Sequence, residues 1–203
     1  MGGKSKSQTV GFWYGGTFHM GLCRGPVDEI MEIRGDDKTM LPAPQANAVV
    51  INGKVLSPPK PIPQPTITAS GTYSINALNL YGGEKQEGGV QGTLTVLMGE
   101  ATQTPSSALA GIEAGARPGY RGMVTVVFKG LIAAMNPYIK PWAFRVRRHL
   151  KGWNTPVWHP ELVQIGRGMN PAHIIYQCLT DPVWGATEDV NAGLDEASLL
   201  SAA

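Results

Sequence analysis

Residues 122–148 read GMVTVVFKGLIAAMNPYIKPWAFRVRR, and this stretch decides the fold class. From Val124 to Lys129, apolar and polar side chains largely alternate, as in a β-strand with one face more buried than the other. From Trp142 to Arg147, aromatic and aliphatic residues alternate with alanine and arginine. The prolines between the two halves lack a backbone N–H and favour a turn. The stretch therefore predicts two strands around a proline-built turn, the second with an aromatic core face and a basic outer face.

The composition favours a β-rich fold with a surface that meets partners. The chain has 203 residues, enough for one large or two small domains. Charged residues make up 16% of it, whereas about 25% is average, and 42% of it is hydrophobic. Uncharged surface that is not core is often surface that contacts a partner. The 26 glycines and 16 prolines suit many short strands joined by turns.

Charge, cysteines and hydropathy exclude several classes of protein. The net charge of +2 is too small to indicate nucleic acid as the main partner. Cys23 and Cys178 form no CxxC motif and no Cys/His cluster, so two reduced structural thiols are expected. No apolar run is long enough to predict a membrane span, and the N-terminus lacks the apolar core of a signal peptide. A soluble chain made in the cytosol is the expectation.

Further strand patterns precede the deciding stretch. Strands are predicted at residues 9–14, 17–23, 27–34, 66–78 and 90–98. Gly15-Gly16 is typical of a hairpin turn between the first two, and Asn52-Gly53 predicts another hairpin over residues 48–56. Residues 57–65 are proline-rich and favour a stiff, extended surface loop, with a ligand for a proline-binding domain as the alternative.

The C-terminal part changes from strand to helix patterns. Residues 102–120 read as a linker of small residues with one short helical turn. Asn170 can cap a helix that begins at Pro171. Apolar residues then recur at helical spacing, at Ile174, Ile175, Cys178 and Leu179. Residues 180–182 end this helix, and a second helix is predicted from Leu194 to Ala203, with Asp195 and Glu196 near its start.

The candidate catalytic and phosphate-binding motifs are incomplete. Gly3-Lys4-Ser5 lacks the upstream glycine and strand of a phosphate-binding loop. The glycines between Gly82 and Gly92 are not spaced as in a nucleotide-binding loop and fit a long hairpin loop that needs positive φ. In that loop Glu84 and Glu87 are paired carboxylates that a glycosidase would need, but no other feature supports a glycosidase and the pattern favours a solvated loop tip.

Metal and nucleic-acid sites are also weakly supported. The histidines are scattered, at His19, His149, His159 and His173. A basic run comprises Arg145, Arg147, Arg148, His149 and Lys151. With Trp142 and Trp153 nearby, this run would suit nucleic acid, an acidic protein partner or a lumen. We predict no catalytic, cofactor-binding or metal-binding residues and no enzymatic activity.

Several long motifs resemble one family of viral proteins. The motifs are SKSQTVGFWYGGTFHMGLCRGPVDEI, LNLYGGEKQEGGVQGTLTVLMGE, RGMVTVVFKGLIAAMNPYIKPWAFRVRR and MNPAHIIYQCLTDPVWG, followed by LDEASLLSAA. In this order, they resemble the N-terminal hub region of the central tail hub, or tip attachment (host-specificity), proteins of long non-contractile-tailed bacteriophages. They cover well over half of the chain.

The resemblance implies a structural role in a virion. It implies a homotrimeric hub at the tail tip that closes the distal tail tube and contacts the distal tail protein, other tip proteins and the tape-measure protein. DNA would pass through its lumen during ejection, and assembly would take place in the host cytoplasm. We also expect this chain to be the N-terminal part of a longer protein, or to have its remainder in another chain. A tail-associated peptidoglycan hydrolase and a receptor-binding adhesin are the alternatives.

The expected fold is mainly β (α+β), with a β-barrel-like hub domain related to tail-tube folds. The predicted domains are a flexible N-terminus at 1–8, the hub domain at 9–35 and 120–165, a β-rich insertion with the proline-rich loop at 36–119, and the start of an α-containing domain at 166–203.

Overall fold

The computed structural model describes residues 12–41, 50–51, 54–55, 66–110, 115–148, 157–166, 168–181, 185–186 and 193–203. The strands are β1 (Trp13–Arg24), β2 (Glu29–Gly35), β3 (Lys38–Leu41), β4 (Val50–Ile51), β5 (Lys54–Val55), β6 (Gly71–Ala77), β7 (Val90–Leu97), β8 (Met123–Ala134), β9 (Trp142–Arg147), β10 (Gln164–Ile165) and β11 (Gly168–Met169). The α-helices are α1 (Pro171–Thr180) and α2 (Glu196–Ser201), and short 3-10 helices span Ser107–Leu109 and Pro160–Leu162. The predicted mainly β fold with a small α part is confirmed.

Two antiparallel sheets pack around one core. The first has the strand order β1-β8-β7-β6, and the second has the order β3-β2-β9. Their facing side chains include Phe128 and Leu94 from the first sheet and Ile33 from the second, all fully buried. An isolated bridge between Ile30 and Ile67 links β2 to the segment before β6. The described strands thus form two open sheets, and their ladders do not run around one closed barrel.

The two strands of the deciding stretch are confirmed, but they belong to different sheets. β8 pairs with β1 and β7, whereas β9 pairs with β2. The loop between β8 and β9, residues 135–141, therefore crosses from one sheet to the other. The Asp36 N–H donates to the Pro141 carbonyl at 2.8 Å, which fixes the end of this loop. The Trp142 ring then packs edge-on against Phe128 across the core, with ring centroids 5.0 Å apart.

The predicted hairpin turn at Gly15-Gly16 is wrong. β1 runs through both glycines as one strand, because β8 offers a partner of equal length along all of it. A Cβ atom at Gly16 would lie 2.7 Å from the Phe18 ring. The absence of a side chain at Gly16 therefore makes room for Phe18 on the same strand face.

The strands predicted at 66–78 and 90–98 are β6 and β7, and they share a sheet with β1 and β8. Ile75 and Leu94 lie in the same hydrophobic cluster as Val126. The described part of the predicted 36–119 insertion is therefore continuous with the hub strands and is not a separate β-rich unit. Backbone hydrogen bonds make the sheet continuous, because β7 pairs directly with β8.

Both predicted helices are confirmed, together with the short turn at Ser107–Leu109. The Asn170 side chain accepts from the Ala172 N–H at 3.0 Å, and Asp195 caps α2 in the same way. The face that α1 buries is not the apolar one, because Ile174 and Ile175 are exposed. Instead, His173 is buried and Tyr176 stacks on Trp158 at 4.5 Å.

Several predictions lie outside the described residues. They concern the flexible N-terminus at 1–8, the turn at Asn52-Gly53, the loop at 57–65, and residues His149, Lys151 and Trp153. The strands that flank Asn52-Gly53, β4 and β5, do pair with each other as predicted. Among the described helices, none is long and apolar enough to cross a bilayer.

Candidate assembly surface

The two loop carboxylates that a glycosidase would need are held by different partners. Glu87 forms an ion pair with Lys140 at 2.7 Å, while Glu84 accepts from the Trp13 indole N–H at 3.4 Å. The hydrogen bond to Glu87 raises the pKa of Lys140. Gly82 and other glycines in this loop have positive φ, as predicted. These contacts tie the loop to the end of β8 and the start of β1.

The described histidines and cysteines do not form one cluster. His19 lies on β1, whereas His159 and His173 pack around Trp158 near α1. Within the described ranges, no three His, Cys, Asp or Glu side chains are grouped to hold a metal ion. Cys23 and Cys178 are not paired, and burial raises the pKa of the Cys23 thiol.

The arginines of β9 are paired with the neighbouring strand. Arg147 lies 2.7 Å from Glu29, and Arg145 lies 3.4 Å from Glu32, both on β2. Burial, with a smaller contribution from the charge of Arg24, lowers the pKa of Arg148 to about 10. These pairs stabilise the three-stranded sheet and compensate much of its basic charge. A row of unpaired cations, which binding to a nucleic-acid backbone would use, is therefore not present on described β9.

The four-stranded sheet ends in two edges with little charge. β1 is one edge strand and β6 is the other. β1 spans 12 residues with Arg24 as its single charged side chain, and β6 has none. Soluble proteins usually protect exposed edges with charges, prolines or very short strands. Both edges are thus suited to pair with another strand.

Hydroxyl groups dominate the outer face of the same sheet. Thr17, Thr93 and Thr95 line a groove of about 400 Å3, and Lys129 contributes an ammonium group. Thr72 and Thr95 lie opposite each other on β6 and β7, and their hydroxyls are 3.2 Å apart. Of the described residues that line this groove, none is a carboxylate. This sheet face is therefore polar but nearly uncharged.

Two described stretches between β7 and β8, residues 99–110 and 115–122, are called the strap here, and Ser107, Ala108 and Ala110 of the strap line the same groove. Gln103 holds it, donating to the carbonyls of Gly119 and Tyr120 and accepting from the Gly99 N–H. Leu109 of the strap is fully buried. No local sequence pattern predicts this role for Gln103, because its hydrogen bonds join residues up to 20 positions apart.

The loop between β8 and β9 carries an exposed apolar patch, which the sequence pattern also missed. Tyr138 is 76% exposed and Ile139 is 54% exposed. Phe12 and Met135 lie beside each other, joined by a hydrogen bond from the Met135 N–H to the Phe12 carbonyl, and both are exposed. Aromatic residues and methionine are enriched at protein interfaces. The patch therefore has the composition of a contact surface.

No protein-family model and no curated protein matches this chain. Open sheet edges, a nearly uncharged sheet face and an exposed apolar loop are features that proteins commonly use to contact other chains.

Proposed function

We propose that the chain is a structural subunit of a bacteriophage tail tip. In this role it forms a homotrimeric central hub that closes the distal tail tube, attaches the tube to tip proteins and takes part in DNA ejection. Its expected location is the virion tail tip, after assembly in the host cytoplasm. The sequence motifs that resemble tail hub proteins support this proposal.

The open edges of the four-stranded sheet carry the argument. Among the described strands, none pairs with the outer side of β1 or of β6, and pairing of β6 of one copy with β1 of the next would join these two edges. Because these are two different surfaces, the contact is head-to-tail, and such contacts close into rings when the rotation allows it. The low proportion of charged residues, 16%, agrees with lateral surfaces that are buried in an assembly.

Charging one edge tests the proposal. Ser74 is an exposed residue of the edge strand β6, and Thr95 lies on the same face of the inner strand β7. We expect the wild-type chain to form trimers in light scattering after size exclusion, and Ser74→Lys to yield monomers because a lysine on an edge opposes pairing. Thr95→Lys, the matched control, should remain trimeric. A wild-type monomer at all concentrations would contradict the proposal.

Labelling of particles tests the location. In electron micrographs of virions, an antibody to this chain should mark the distal tail end, and averages of that end should show threefold symmetry. Label on the capsid or on no particle would contradict a tail-tip role.

The alternatives have less support. A hydrolase would need Glu84 or Glu87 free to act, but these carboxylates are bound to Trp13 and Lys140. A receptor-binding adhesin would show binding to host cells by the isolated chain, whereas a hub subunit would show none.

A further inference from the structure

The hydroxyl-lined groove on the outer face of the four-stranded sheet contains one charged side chain, that of Lys129. Cross-strand pairing places a threonine on each side of this lysine, Thr17 of β1 and Thr93 of β7. Residues that lie directly opposite each other on neighbouring strands have Cβ atoms about 4.5–5.5 Å apart. The ammonium group of Lys129 is therefore flanked by two hydroxyl-bearing side chains, and all three residues line the groove.

The strap forms the wall of the groove. Its short 3-10 helix, Ser107–Leu109, brings the Ser107 side chain to the groove, together with two alanines. Leu109 is fully buried, which anchors this helix. Val127 of β8 also lines the groove and is 2% exposed. The groove thus combines polar groups from the sheet and the strap with small apolar contacts.

Three hydrogen-bond donors in the groove are not used by the described part of the chain. Among the described residues, no acidic side chain pairs with Lys129, and no group binds the hydroxyl of Thr17 or of Ser107. The hydroxyls of Thr72 and Thr95, in contrast, lie 3.2 Å apart and bind each other. One ammonium and two hydroxyls therefore remain available to a molecule in the groove.

The charge and size of the groove define the ligand that fits it. Lys129 is the single charged residue among the described residues that line it. Ammonium and hydroxyl donors suit a carboxylate or phosphate group, because hydrogen bonds to an ionised acceptor are stronger than neutral ones. The volume of about 400 Å3 lies in the range of small-molecule sites, roughly 300–1,000 Å3. The groove therefore suits a small molecule with one anionic group.

We propose that this groove binds a small molecule through one carboxylate or phosphate group, which accepts hydrogen bonds from Lys129, Thr17 and Ser107. The uncharged remainder of the molecule lies against Val127 and the alanines of the strap. Side chains on a sheet face point away from the plane in which strands pair. Pairing of β1 and β6 with neighbouring copies therefore leaves the groove accessible, and the proposal does not depend on that pairing.

Protection of lysines from acylation tests the site in the full chain. Sodium phosphate and sodium acetate are the probes, each titrated at constant pH and constant ionic strength, and the labelling of each lysine by a succinimidyl ester is followed by mass spectrometry. We expect labelling of Lys129 to slow severalfold and to saturate, with half of the effect at about 1 mM. Lys38 is the control, because it is an exposed lysine of β3 without a described partner, and its labelling should not change.

The two probes distinguish the sources of the anionic group. Protection at a lower concentration of phosphate than of acetate would support a phosphorylated ligand, whereas the reverse order would support a carboxylic acid. Protection of Lys129 by neither anion would contradict the proposal.

Two matched serine variants separate a binding site from a solitary exposed lysine. Ser107→Ala removes one donor from the groove and leaves the helix cap intact, because Ser106 is the capping residue. It should raise the half-protecting concentration about tenfold. Ser74→Ala removes an exposed hydroxyl from β6 of the same sheet, outside the residues that line the groove, and should leave this concentration unchanged.

Equal protection of Lys129 and Lys38, or equal effects of the two serine variants, would show that the anion only screens an exposed charge, and the proposal would be wrong. Glu113 follows Ala110 of the strap in the sequence and supplies a further test. If Glu113→Gln accelerated the labelling of Lys129 without added anion, the chain's own carboxylate would occupy the groove, which also contradicts the proposal.

Discussion

Tyr81 shows how one side chain can restrict a neighbouring backbone position. Its ring is buried beneath Lys140, whose ammonium lies 5.7 Å from the ring centroid. Its hydroxyl has no hydrogen-bond partner among the described residues and lies against Gly35 of β2. Burial, together with the charges of Asp36 and Glu87, raises the pKa of Tyr81 to about 12. Gly35 is thus a position where the packing of Tyr81 excludes any side chain.

A methyl group at Gly35 tests this packing. Its Cβ would overlap the Tyr81 hydroxyl, so Gly35→Ala should lower the free energy of unfolding by about 1–3 kcal/mol in urea denaturation. Gly71→Ala is the control, because the nearest atoms to its Cβ are 3.7 Å away.

The double variant separates the overlap from other effects of alanine. Tyr81→Phe removes the overlapping oxygen, so it should recover part of the loss caused by Gly35→Ala. If Gly35→Ala lowers the free energy of unfolding equally with and without the Tyr81 hydroxyl, overlap with this hydroxyl does not limit which residues fit at position 35.

At the scale of elements, the strap depends on one side chain. Gln103 is 7% exposed and satisfies the carbonyls of Gly119 and Tyr120. Removing it takes the side-chain donor from the Gly119 carbonyl and the acceptor from the Gly99 N–H, at a cost of about 1–3 kcal/mol, while the Tyr120 carbonyl still accepts from the Met123 N–H. The bond between Arg121 and Gly122 is a trypsin site in the strap, and its cleavage reports that the strap has opened.

We expect Gln103→Ala to accelerate limited trypsin cleavage after Arg121 severalfold, with the rest of the chain still folded. Gln91→Ala is the control, because Gln91 is on β7 and makes only a 3.4 Å contact with Asn76. Cleavage at the wild-type rate would mean that other contacts hold the strap.

The sequence predicted elements better than it predicted their partners. Alternation identified β9, in which partly buried and exposed residues alternate from Trp142 to Arg145. It also located β8 and β2, although residues 124–128 of β8 are buried on both faces and β2 has a register shift between Ile30 and Glu32. It did not show that β9 pairs with β2, because pairing depends on residues more than 100 positions apart in the chain. The hairpin prediction at Gly15-Gly16 was wrong for the same reason. Pairing with the distant strand β8 decides whether these two glycines form a turn or continue a strand.

The candidate surfaces were predicted less well. The low charge of the chain indicated partner surfaces, but it could not locate the Tyr138–Ile139 patch. Exposure of an apolar side chain depends on what packs over it, and a short apolar run has the same pattern whether buried or exposed. Sequence periodicity thus fixes which residues share a strand face but leaves open what covers that face.

At the scale of the whole molecule, a single core implies one unfolding transition for both sheets. Ile75 of β6 is 2% exposed, and Trp142 of β9 lies on the other side of the core. Ile75→Ala should cost about 2–5 kcal/mol. Because the sheets share the core, the NMR signal of the Trp142 indole should lose its native position at the same lowered denaturant concentration as the far-ultraviolet circular dichroism.

Two separate domains would behave differently. If residues 36–119 folded independently, Ile75→Ala would leave the midpoint reported by Trp142 unchanged. Thr72→Ala on the exposed face of β6 is the control and should shift neither signal by much.

The pairing of β1 with β8 has a consequence during synthesis. β1 ends at Arg24 and β8 begins at Met123, so its only described partner strand leaves the ribosome about 100 residues later. At about 5–20 residues per second, this delay is about 5–20 s. Throughout that time both edges of β1 are unpaired and its apolar side chains are exposed. A nascent chain of this protein is therefore a natural client for chaperones that shield strands, until translation has passed Ala134.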